Sequence, residues 1–176
     1  DTLLHMGGSG PSLAQRLRKY TTGTFAGIFS QQSNIDINNR MVVFNIRDLE
    51  DELRPVAMYI VLSHIWSIVR AKKTKRLLLV DEAWMLMQYE DSANFLFSLA
   101  KRARKYFLGL TTISQDVEDF MSSKMGRAIV SNSSMQLLLK QSPSAVDVLA
   151  EVFKLTSEER KRLANFPVGH GLFFAG

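Results

Sequence analysis

Apolar residues at 58, 61, 62, 65, 66 and 69 recur at intervals of three and four, the spacing of one helix face, and predict a helix over 53–70. Phe95, Leu96, Leu99, Ala100 and Ala103 form a second stripe, so another helix opens at Asp91 or Ser92 and runs to about Tyr106. Between and beyond these lie short, largely apolar runs with polar borders, at 41–46, 77–81, 107–113, 135–139 and 171–175. Runs of that length without alternation read as strands buried on both faces. Ser12 heads a short helix over 13–20, with Leu13 and Leu17 on one side, and Asp116 starts one that reaches Met121. Ser142-Pro143 places a cap before a first-turn proline, and Thr156-Ser157-Glu158-Glu159 is a capping box whose helix Pro167 ends. Gly7-Gly8-Ser9-Gly10-Pro11 breaks the chain, so residues 1–12 read as a linker or the end of an upstream helix. Residues 21–34 read as a loop with Phe25, Ile28 and Phe29 turned inward.

Strands therefore alternate with helices at spacings that require crossovers. The expectation is an α/β fold, a mostly parallel sheet with helices on both faces. At 46% hydrophobic and 22% charged residues, the chain has the composition of a packed domain and not of a disordered one. With no cysteine it holds neither disulfides nor thiolate zinc sites, and its three histidines, His5, His64 and His170, are far apart. Lys plus Arg is 22 against 17 acids, a net charge of +5, which permits a nucleic-acid partner without demanding one. The longest greasy stretch, 55–69, carries Ser63, His64 and Ser67 and falls short of the about 20 apolar residues that span a bilayer. A cytoplasmic, soluble protein is the expectation.

The most informative residues are Leu77-Leu78-Leu79-Val80-Asp81-Glu82-Ala83-Trp84. Four aliphatics drive a strand into the core, and two carboxylates follow at its carboxyl end, where open α/β sheets place their ligands. One carboxylate there can hold Mg²⁺ directly or through water, and its neighbour can deprotonate an attacking water. This is the hhhhDE pattern of a Walker B strand; the same pair also reads as a helix cap or as surface ion-pair partners. Gln115 falls just past the next strand, where a neutral amide can bond both a γ-phosphate oxygen and the attacking water, or else belong to a capping turn. Lys101-Arg102-Ala103-Arg104-Lys105 ends a helix, where cations complement its dipole. An arginine there can also reach phosphates bound by a neighbouring subunit, as an arginine finger. The basic run 70–76 reads as a solvated connection, His64 as a core histidine, and Trp84, Met85 and Met87 as packing residues.

Taken in order, LLLVDEAWMLMQ, SLAKRARKY, GLTTISQD, LLLKQSPSAVDVL and the terminal GLFFAG resemble the C-terminal motor domain of the conjugation and type IV secretion ATPases. These are the TraC-like and VirB-four-like proteins within the FtsK/HerA superfamily of RecA-fold motors. The upstream stretch TTGTFAGIFSQQSNIDINNRMVVFNIRDLEDELRPVAMYI is similar to the same family, so the resemblance covers roughly 13–176. It implies a RecA-like P-loop NTPase core, here its Walker-B-to-C-terminus part. It also implies ATP and Mg²⁺ as cofactors, with Asp81 associated with magnesium, Glu82 activating water, Gln115 the sensor, and Arg102 and Arg104 in the basic motif after Walker B. Leu139-Lys140-Gln141 matches the family's late motif. The implied function is an ATP-hydrolysing motor, self-associated as a hexameric ring. It would energise pilus assembly or substrate translocation with other secretion-machine subunits, at the cytoplasmic face of the inner membrane.

The departure from that family is a missing GxxxxGK[ST]: Gly23-Thr24-Phe25-Ala26-Gly27 is followed by Ile28. Without that loop the chain has no amide cradle for phosphates, no phosphate lysine and no magnesium-binding hydroxyl. The expected fold is therefore incomplete, with the phosphate-loop strand absent, and the segment alone is expected to be inactive. Two alternatives stand beside the motor: a degenerate, non-hydrolysing domain that docks to partners, and a HerA/FtsK-type DNA-translocating ATPase.

Overall fold

The structure, a computed structural model, describes residues 2–32 and 39–176. Two compact units divide between Val43 and Phe44.

In the first unit a 3-10 turn, Thr2–His5, precedes α1, Gly10–Thr21. The helix starts earlier than the sequence predicts. Gly10 is buried in its first turn, where a Cβ would stand 2.6 Å from the Leu3 carbonyl oxygen, and Pro11 follows where its lost N–H is not needed. The N-cap is Ser9 and not Ser12. The expected loop over 21–34, described as far as 32, contains the short helix α2, Ala26–Phe29. Tyr20 packs edge-on against Phe29 at 5.4 Å and lies 5.8 Å from Phe25. Phe25 is buried, as expected, but Ile28 is exposed.

The expected strand over 41–46 does not form. Met41 and Val43 are exposed, and among the described residues no strand lies beside the run to take its backbone hydrogen bonds.

The second unit begins with a clamp. The Arg54 guanidinium donates to the carbonyls of Leu49 and Arg47 and pairs with Asp51 at 2.7 Å, folding the entry loop over the start of α3, Arg54–Ala71. Pro55, Met58, Leu62, Trp66 and Val69 line the buried side of α3. His64 is exposed and not a core histidine, because it follows Leu62 by two positions, about 200° around the helix. β1, Arg76–Val80, then enters the core. The crossover from it comprises α4, Trp84–Met87, and α5, Glu90–Ala103, followed by a 3-10 turn at Arg104–Tyr106. The buried Ser92 hydroxyl closes the α4–α5 corner by donating to the carbonyls of Leu86, at 2.7 Å, and Tyr89. β2, Leu108–Thr112, pairs with β1 in parallel, Arg76 opposite Leu108 and Val80 opposite Thr112.

α6, Val117–Ser122, and α7, Lys124–Asn132, follow. β3, Met135–Leu139, leads to α8, Pro143–Val152, and α9, Ser157–Asn165, whose predicted caps at Ser142 and Thr156 both form. β4, Gly171–Ala175, returns antiparallel to β3, Met135 opposite Ala175.

The fold is thus α/β, and the described strands form two two-stranded ribbons, one parallel and one antiparallel. The main core joins α3, α4, α5, α6 and α7 to one face of β1 and β2, with Ala83, Leu86 and Leu96 fully buried. A smaller core gathers Leu138, Val146, Leu149 and Leu163. Each ribbon has one covered and one open face. Leu77 and Leu79 are 80% and 63% exposed, and so are Met135, Leu137 and Phe173 in large part. The strands read as unbroken because both faces carry aliphatics, not because helices cover both.

Candidate active site

The site grows from the carboxyl ends of the two parallel strands. Val80 is the last residue of β1, and its carbonyl accepts the Ile113 N–H at 2.9 Å. Ile113 in turn accepts the Ala83 N–H at 2.9 Å. This exchange ties the turn after β1 to the turn after β2. Asp81 and Glu82 therefore leave β1 at the same end of the parallel pair at which Ser114 and Gln115 follow β2.

The turn itself is tight. Glu82 adopts a left-handed backbone with φ 50°, a conformation that costs a non-glycine residue about 1–3 kcal/mol. Its own N–H donates to Asp81 Oδ1 at 2.9 Å. The Glu82 Oε2 accepts the indole N–H of Trp84. Asp81 is exposed and Glu82 half-buried. Neither acts as a helix cap, because the N-cap of α4 is Ala83 and makes no side-chain cap bond. Nor does either appear in the ion pairs found among the described residues, which join Arg54 to Asp51, Arg160 to Asp147 and Arg162 to Glu158.

Beyond β2, Asp116 performs the capping. Its Oδ1 accepts the Asp119 N–H at 2.9 Å at the start of α6, while the Ser114 hydroxyl donates to the Asp116 carbonyl. Gln115, between them, is exposed and takes no part in the cap.

Arg102 and Arg104 lie elsewhere. They end α5 and form the 3-10 turn that leads into the amino end of β2, so the strand's length, roughly 17 Å, separates them from the carboxylates. Both are exposed. The Arg76 N–H bonds to the Phe107 carbonyl at 3.1 Å, which brings the basic run 70–76 to this same pole. Leu139-Lys140-Gln141 sits at the carboxyl end of β3, with the Lys140 N–H on the His170 carbonyl.

Sequence reasoning left Trp84 as a packing residue. The signal that could have placed it is chemical: a tryptophan on a half-buried turn needs an acceptor for its indole N–H, and the nearest carboxylate in sequence is Glu82.

Among the described residues no group of three or more His, Cys, Asp or Glu gathers around a common point, so a metal held by protein ligands alone has no cage here. A single carboxylate with open surroundings, as at Asp81, fits Mg²⁺, which keeps most of its waters and shares substrate phosphate oxygens. The phosphate cradle that would complete such a site is not among these residues. No helix among the described residues is long and apolar enough to cross a membrane.

Known proteins place the chain further. It is 30% identical over 137 residues to Protein TraC of Escherichia coli (strain K12), covering 72% of this chain and 16% of that protein. Its fold matches the structure of VirB4 of Thermoanaerobacter pseudethanolicus with a TM-score of 0.87 and 30% identity, over 94% of this chain and 47% of that one. The chain thus spans less than half the length of either relative. The TraG P-loop domain matches residues 12–166, nearly the whole of the chain. This chain belongs to the TraG P-loop domain family.

Proposed function

We propose that this chain is the Walker-B-to-C-terminus part of an ATP-hydrolysing motor that energises type IV secretion or conjugative transfer. The carrying observation is the juxtaposition of Asp81 and Glu82 with Gln115 at the carboxyl ends of two hydrogen-bonded parallel strands. Glu82 is the general base that takes the proton of the attacking water. Gln115 orients that water and reports the γ-phosphate, and Asp81 holds Mg²⁺ directly or through water. The ion, when bound to ATP, neutralises charge on the phosphates. Arg102 and Arg104, a strand's length away, act on the site of a neighbouring subunit in a ring, a hexamer. The family relationship to TraC and VirB4 supports a secretion-machine setting, with partner subunits holding the motor at the cytoplasmic face of the inner membrane.

The test is ATP turnover by a motor in which these residues follow an intact phosphate loop. Glu82→Gln should keep ATP binding and lose most hydrolysis, since general-base assistance is worth about 10²–10⁴-fold. A wild-type rate would leave Glu82 without a catalytic role.

Two specific observations support other readings. These 176 residues contain no GxxxxGK[ST], and a non-hydrolysing docking module is the second reading of that observation. It predicts that the motor binds its partners equally well with Glu82→Gln. The basic pole formed by 70–76 and 101–105 favours a DNA-translocating motor. It predicts DNA binding that weakens steeply with salt, as counterion release requires.

A further inference from the structure

The turn that carries Glu82 is held by three hydrogen bonds that leave one of its carboxylate oxygens open. Its backbone N–H is on Asp81, the next N–H is on Ile113, and its Oε2 is on the Trp84 indole. No partner for Oε1 occurs among the described residues. The indole is itself anchored, because the Trp84 ring packs against the main core while Ala83, beside it, is fully buried. A glutamate side chain has three rotatable bonds, and a free one would point at the attacking water only part of the time. A donor on a rigid ring removes that freedom, as partners behind a reacting or ligating group do elsewhere.

We propose that Trp84 is the positioning residue of Glu82. The indole N–H holds Oε2 so that Oε1 faces the attacking water, on the side of the sheet where Gln115 stands. Trp84 acts through Glu82 and touches neither water nor nucleotide. The inference rests on the assignment of Glu82 as the base.

Two measurements test it. The chain has two tryptophans, Trp66 and Trp84, so its ¹H–¹⁵N spectrum holds two indole signals, and Trp84→Phe identifies which is which. Glu82→Ala leaves the core untouched. It should shift the Trp84 indole signal and speed its exchange with solvent at least about tenfold, leaving the Trp66 signal in place. An unmoved Trp84 signal overturns the proposal. In the motor carrying an intact phosphate loop, Trp84→Phe keeps an aromatic ring and loses the donor together with part of the indole's packing volume. It should lower kcat roughly tenfold with KM for ATP within about twofold. If Glu82→Gln abolishes turnover and Trp84→Phe leaves kcat unchanged, the positioning role alone is refuted. If Glu82→Gln turns over normally, the assignment of the base fails, and the positioning role fails with it.

Discussion

Gly126 offers a test of the packing that supports the site. It lies in α7, buried, where α7 crosses α6. A Cβ added there would stand 1.9 Å from the Phe120 carbonyl oxygen and 3.3 Å from Phe120 Cδ1. The first contact is with backbone, so no side-chain rotation relieves it, and α6 and α7 must move apart. Elsewhere in a helix, alanine in place of glycine stabilises by about 0.5–1 kcal/mol. Overpacking a tight contact costs about 1–3 kcal/mol, and a backbone clash belongs at the upper end. The net effect of Gly126→Ala is then a loss of about 2 kcal/mol. In a chain of this size each kcal/mol moves the melting temperature by about 2–4 °C, so the midpoint should fall by about 4–8 °C. Gly109→Ala is the control. Its Cβ would meet Leu77 Cδ2 at 2.6 Å, but Leu77 is 80% exposed and its tip can swing aside. That variant should stay within about 0.5 kcal/mol of wild type. Circular-dichroism melts of both variants decide it, and a Gly126→Ala protein as stable as wild type would refute the close crossing of α6 and α7.

Three further outcomes are expected. Thr156→Ala should cost about 1 kcal/mol at neutral pH, because it removes the side-chain cap of α9. The Thr156 backbone N–H, and then its hydroxyl, hold the Glu159 carboxyl below its ordinary value of 4.5. Stability from a lowered carboxyl is present above the unfolded value and lost as pH falls through the folded one. The backbone N–H remains in Thr156→Ala, so only the hydroxyl's share of this effect is lost; the gap between wild type and Thr156→Ala should narrow on going from pH 7 to pH 3, and urea midpoints showing a constant gap would contradict the hydroxyl-to-carboxylate bond. The 176-residue chain by itself should show no magnesium-dependent ATP turnover, and a coupled phosphate-release assay that detects turnover abolished by Glu82→Gln would overturn this.

How much was legible depends on which interaction decides each element. Local signals placed most elements, although the cap expected at Ser12 lies at Ser9 and α5 opens at Glu90 rather than at Asp91 or Ser92. The caps at Ser142, Thr156 and Asp116, the period of α3 and the limits of β3 and β4 follow from side chains and backbone within a few residues. The strand expected at 41–46 failed because a strand needs a neighbour, and apolarity does not supply one. α7 went unread because Gly126 and the polar residues around it hide its short apolar side, and only the crossing with α6 explains the glycine. At the site, Asp81, Glu82 and Gln115 were visible as motifs, and strand pairing brings them together. The Trp84 contact spans two residues and was open to chemical reasoning, whereas the left-handed turn at Glu82 that shapes it depends on the hydrogen bonds between the ends of β1 and β2.

The central claim is that Glu82 takes the proton of the water that cleaves ATP. Steady-state hydrolysis and nucleotide binding, measured together for wild type and Glu82→Gln in a motor with an intact phosphate loop, test it most directly. Unchanged ATP affinity with turnover reduced by about 10²-fold or more is the predicted result. Equal turnover in the two proteins would contradict it.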